Sequence, residues 1–86
     1  MMVYYPAIFH KEDKGYWVEF PDLEGCLTKG KTFDEALLMA KDALKEWFNA
    51  KDFLHVDNFN EPTDLEIIKK KYPKELVLMI EHKEVC

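Results

Sequence analysis

Residues 15–37 read GYWVEFPDLEGCLTKGKTFDEAL, and their punctuation divides the chain. Tyr16, Val18 and Phe20 alternate with Trp17 and Glu19, the period of a strand with two unlike faces. Pro21-Asp22-Leu23-Glu24-Gly25 is a turn by composition. Residues 26–29, CLTK, form a short further strand that Gly30 stops. Thr32 and Glu35 stand at the spacing of a capping box, in which a hydroxyl takes the N–H three residues on and the carboxylate reaches back. Strand, turn, strand and helix start thus follow one another with short links, and a meander feeding a helix is expected.

Working outward, residues 2–11, MVYYPAIFHK, are rich in aromatic and β-branched side chains and read as a first strand. Pro6 within it belongs where no ladder donor is needed. EDKG at 12–15 is the hairpin turn, with Gly15 free to take positive φ. Downstream, Ala36, Leu37, Ala40, Ala43, Leu44, Trp47 and Phe48 step by three and four, opposite Asp34, Lys41, Asp42, Lys45 and Glu46. That pattern predicts a surface helix of about 16–18 residues, roughly 25 Å long. Residues 49–62 have no clear period. Thr63 and Glu66 repeat the capping-box spacing and open a short second helix that ends by Tyr72, because Pro73 disfavours helical geometry before it. Residues 75–82, ELVLMIEH, form the last strand, apolar on both faces. The order predicts an α+β fold in one domain, residues 1–86: a three-stranded antiparallel meander, a long helix, and a fourth strand returning parallel to the first, in sheet order 3-2-1-4.

Composition limits the function classes. Of 86 residues, 48% are hydrophobic and 14% aromatic, enough for a core at this length. The net charge of −5 repels phosphate backbones, so no direct nucleic-acid contact is expected and a basic protein partner is more compatible. No apolar run approaches the roughly 20 residues of a membrane span, and MMVYYPAIF lacks the basic region and cleavage site of a signal peptide. A soluble cytoplasmic protein is the expectation. Cys26 and Cys86 are too far apart for a metal or redox motif; Cys26 reads as a small apolar filler and no disulfide is expected.

The sheet order resembles that of nucleases of the RNase H type, in which carboxylates converge on two divalent ions, the first of them from the first strand. Here the first strand has no Asp or Glu before its turn, and Glu19 and Glu81 stand alone. His10 and His82 would end neighbouring parallel strands, but neither they nor His55 find a third ligand at a helpful spacing. No catalytic, cofactor-binding or metal-ligating residue is assigned. The sheet's second face is more informative. One helix covers one face, yet Trp17, Tyr4 or Tyr5, Ile8 or Phe9 and half of residues 76–80 must point to the other. Either residues 49–62 cover that surface or it is an interface, with Trp17 as the candidate contact in a homodimer or higher oligomer.

Tyr5-Pro6-Ala7-Ile8, Gly15-Tyr16-Trp17-Val18, Phe20-Pro21-Asp22-Leu23-Glu24-Gly25-Cys26, Gly30 and Glu35-Ala36 follow one another in order and spacing so that residues 5–48 resemble the HicB family. The resemblance implies an antitoxin of HicA–HicB toxin–antitoxin systems, with a partial, degenerate RNase H-like fold and no nuclease site. Such a protein is not an enzyme and needs no cofactor. It binds a small basic mRNA-cleaving HicA-like toxin and blocks its catalytic surface. Many members carry a C-terminal DNA-binding domain that represses their operon, whereas this chain stops after its last strand, as a short form would. Glu19, Asp22 and Glu24 are the candidates for contact with a basic toxin. The alternative at this point is a solitary oligomeric HicB-like module with another partner.

Overall fold

The computed structural model describes residues 2–53 and 61–83, with the side chains of 51–53 set aside; His55 and Cys86 fall outside this range. The elements are β1 (Met2–Glu12), β2 (Gly15–Glu19), β3 (Leu27–Gly30), α1 (Phe33–Phe53), α2 (Leu65–Lys71) and β4 (Leu76–Lys83). They form one four-stranded sheet in the order β3-β2-β1-β4. The meander is as the alternation predicts: β1 pairs antiparallel with β2 through Phe9↔Val18 and Glu12↔Gly15, and β2 with β3 through Val18↔Thr28. Pro6 lies beyond the last β2 partner of β1, so no rung between those strands is lost there.

The expected parallel return of the fourth strand is overturned. β4 runs antiparallel to β1, from Met2↔Lys83 to Phe9↔Leu76. The reason is the number of traverses. α1 crosses one face once, ending where Trp47 Nε1 donates to Glu24 O. α2 then carries the chain back across the opposite face before β4 starts, so the strand enters from the other end. A single crossover would have given the parallel pair; two reverse it.

Two cores sit on the two faces. Under α1, Tyr5, Ala7 and Phe9 of β1, Val18 of β2, and Ile80 of β4 pack with Ala36, Ala40, Leu44 and Phe48 of the helix. Aromatic pairs bind the two layers: Phe9 with Phe33 at 5.5 Å, Tyr16 with Phe33 at 5.9 Å and Tyr5 with Phe48 at 5.9 Å between ring centroids. Gly30 sets how closely α1 approaches β3, because a Cβ there would stand 2.7 Å from Ala36 Cα. Thr32 caps the helix as the spacing predicts, its hydroxyl accepting Glu35 N at 3.1 Å. On the second face Ile68 of α2 packs on Ile8 and Val77. Part of the cover expected of residues 49–62 is therefore supplied by α2. That short helix is capped by Asp64, whose carboxylate accepts Glu66 N at 3.0 Å, and not by Thr63 as the spacing predicts.

Candidate protein-interaction site

Thr63 is occupied elsewhere, and its partner is one of the candidate acids. Asp22 is 8% exposed. Its carboxylate accepts Thr63 N at 2.8 Å and the Thr63 hydroxyl. The β2–β3 turn folds inward through its own backbone, with Leu23 N on Phe20 O, Cys26 N on Leu23 O and Phe20 N on Cys26 O. This brings Leu23 into the core and turns Asp22 toward the segment entering α2. Burial, and then the carboxylates of Asp22 and Glu61, raise the pKa of the neighbouring Tyr5 hydroxyl. Asp22 thus ties two loops together, which a turn reading of Pro21-Asp22 does not reveal.

The other two acids lie apart. Glu24 is exposed at the tip of the same turn, and its carbonyl holds the Trp47 indole of α1 at 3.1 Å. Between this turn and α1 runs a shallow groove of about 250 Å³, lined by Leu27, Ala43, Glu46, Trp47 and Ala50 among others. Leu27 is 60% exposed at its margin. Leu27, Ala43, Trp47 and Ala50 give this groove an apolar lining, Glu46 is its acidic member, and Glu24 stands on the adjoining turn. Cys26 also reaches it, but its Sγ donates to Ala43 O at 3.6 Å and burial pushes its thiol up to about 12, so it is packing rather than a nucleophile.

Glu19 belongs to a cluster on the second face. Its Oε1 meets His10 Nε2 at 3.1 Å, and Glu75 Oε2 meets His10 Nδ1 at 3.3 Å. The His10 ring stacks on Trp17 at 4.0 Å and 13°, and Tyr72 stands edge-on at 6.2 Å. Trp17 is thereby half-buried and joined to the α2–β4 junction. The hairpin register alone pairs His10 with Trp17 and so was available from the turn at 13–14. The part played by Glu75 was hidden by the wrong direction of β4. His82 lies on the opposite face, stacked on Phe48 at 5.2 Å, so the two histidines weighed as a metal pair are separated. Among the described residues no group of three or more His, Cys, Asp or Glu side chains gathers as metal ligands would.

Comparison with known proteins places this arrangement. The N-terminal domain of Burkholderia pseudomallei antitoxin HicB superposes with a TM-score of 0.79 at 22% identity, over 96% of this chain and 100% of that one, a likeness of fold. A toxin–antitoxin complex from Streptococcus pneumoniae gives 0.70 at 26% identity, over 94% and 69% of the respective chains. Antitoxin HicB 2 of Photorhabdus laumondii subsp. laumondii is 44% identical over 59 residues, 69% of this chain and 40% of that protein. Across five curated relatives the chain spans between 31% and 68% of their length. The family described as the HicB_like antitoxin of bacterial toxin-antitoxin system matches residues 5–83, which run from β1 through β4. The chain belongs to the HicB-like antitoxin family.

Proposed function

We propose that this chain binds a small, basic HicA-like ribonuclease toxin and neutralises it by covering its RNA-binding surface. The observation that carries the reading is the family match over residues 5–83, which takes in both faces of the fold. The net charge of −5 supports it, since a toxin that holds RNA must present positive charge. The groove that Glu46 lines, with Glu24 on the adjoining turn, suits such a surface, with Leu27 and Trp47 as apolar contacts. Glu19 contributes from the strand before the turn, while Asp22 holds the turn in place. No catalytic step and no nucleic-acid contact belong to this reading, and its setting is the cytoplasm, where a toxin meets mRNA.

The second reading, a solitary oligomeric module, draws on the apolar surface left on the second face, where Tyr4 and Met79 remain 48% and 37% exposed; Trp17 lies toward the other end of that face, half-buried in the His10 cluster. The deciding experiment looks for a small basic protein encoded beside the chain and co-expresses the two, followed by pull-down and a growth-rescue assay. Complex formation and rescue are expected. Two folded proteins that neither associate nor restore growth would remove the antitoxin reading in favour of the solitary module.

A further inference from the structure

The groove beside Trp47 continues past Leu27. A larger hollow of about 580 Å³ takes residues 28–31 on its sheet side and Glu35 and Met39 on its helix side. The first groove takes residues 25–27 and then Ala43, Trp47 and Ala50. Glu35, Met39, Ala43, Trp47 and Ala50 step by four, four, four and three, so they form one stripe of α1. The sheet residues run without a gap from Gly25 to Lys31. Both hollows therefore belong to one trough between α1 and the outer edge of β3. Among the described residues β3 pairs only with β2, so alternate N–H and C=O groups of residues 27–30 face outward from the ladder. The stripe from Glu35 to Ala50 is about 22 Å long, the span of roughly six or seven extended residues. The ends of the trough differ in charge. Glu46 lines the end beside Leu27, with Glu24 on the adjoining turn. At the end beside Gly30, Lys14, Lys29 and Lys31 outnumber Glu12 and Glu35. In a chain of net charge −5 that basic excess is local.

We propose that this trough takes an extended segment of a protein partner as a fifth strand on the edge of β3, antiparallel to it, with an acidic residue near the start of the segment and a basic residue near its end. β3 runs from the glutamate end of the trough to the lysine end. An antiparallel strand, the more stable pairing, enters at the lysines and leaves at the glutamates, and that order fixes the charges it must carry. Its side chains alternate between the α1 stripe, where Met39 is 40% exposed, and the other face, where Leu27 is 60% exposed. Main-chain bonds to β3 hold such a segment, and the charged ends select its direction. A second copy of residues 25–31 carries no acid to meet the lysines. The proposal rests on the toxin-binding reading for the identity of the partner and adds the element by which that partner is held.

The test uses the full chain and a labelled heptapeptide blocked at both ends, with aspartate first, lysine last, and threonine and valine alternating between them. Saturable binding by fluorescence anisotropy is expected. A copy with the end charges exchanged should bind about fivefold more weakly. Lys29 and Lys31 are exposed, so Lys29→Glu with Lys31→Glu should keep the circular dichroism of the wild type and reverse that preference. The two peptides on the wild type decide the matter if the variant does not fold. Methylating alternate peptide nitrogens should abolish binding in one phase and spare it in the other, because only one set of N–H groups faces β3. In a toxin complex, alternate amides of residues 27–30 should exchange at least tenfold more slowly than in the free chain. Absence of saturable binding, equal affinity for the two charge orders, an equal effect of both methylation phases, or a toxin complex that leaves those amides unprotected would each overturn the added strand. A toxin that does not associate counts against the antitoxin reading, and the peptide measurements still decide the strand.

Discussion

At Asp22 a turn residue does the work of a core residue. Its carboxylate holds both the backbone N–H and the hydroxyl of Thr63 from a buried position. Asp22→Ala leaves those donors unmatched, and hydrogen bonds to a charged group contribute about 1.5–3 kcal/mol. A loss of about 2 kcal/mol is expected, or about 10 °C in thermal midpoint for a domain of this size, read by circular dichroism. A midpoint within about 1 °C of wild type would show that the tie is dispensable. The same burial makes Asp22→Lys a folding lesion and unsuited to probing partner contact. Cys26 gives a pH dependence. Its thiol titrates near 12 in the folded chain against 9.0 for an ordinary thiol. Between those values the unfolded chain has released a proton that the folded chain keeps, so stability present below pH 9 is lost as pH rises toward 12. Compared with the wild type, Cys26→Ala should lose stability less steeply above pH 9 in urea titrations; parallel curves would refute the assignment.

At the scale of the element, the contact of α1 with β3 rests on a missing side chain. Gly30→Ala drives a methyl against the Ala36 backbone, which has no rotamer through which to yield. Overpacking of this kind costs about 1–3 kcal/mol, and a shift in the urea midpoint of that size should follow without loss of the two-state transition. Elements with a strong period were legible. The meander and α1 followed from alternation and three-four stepping, and α1 exceeded its expected length by running on to Phe53. The direction of β4 was not legible, because it depends on how many times the chain crosses the sheet between strands. Residues 49–62 have no period, and a seven-residue helix weighs little in a pattern although it reverses the strand. The site divided in the same way. His10 opposite Trp17 follows from a local turn, whereas Asp22 with Thr63 and His10 with Glu75 join segments far apart in sequence.

For the whole molecule, charge is the lever on a basic partner. Glu46 in the groove and Glu24 on the adjoining turn are both exposed, so Glu24→Lys with Glu46→Lys should leave the fold intact and weaken toxin association about tenfold, mainly through a slower on-rate. The same variant should flatten the dependence of association rate on ionic strength, measured by stopped flow, since screening acts beyond about 8–10 Å. An unchanged salt dependence would place the partner elsewhere. The antiparallel closure of the sheet also bears on how the chain is made. β1 lies in the interior of the sheet and leaves the ribosome before the other described elements, yet it pairs with β4, the last of them, from Met2↔Lys83 onward. At about 5–20 residues per second, one side of that strand waits roughly 4–15 s for its neighbour. During that interval Tyr5, Ala7 and Phe9 rely on the β1–β2 hairpin and α1 alone for cover. Nascent chains halted before β4 should therefore be protease-sensitive and bind holdase chaperones, and only completion of β4 should release them.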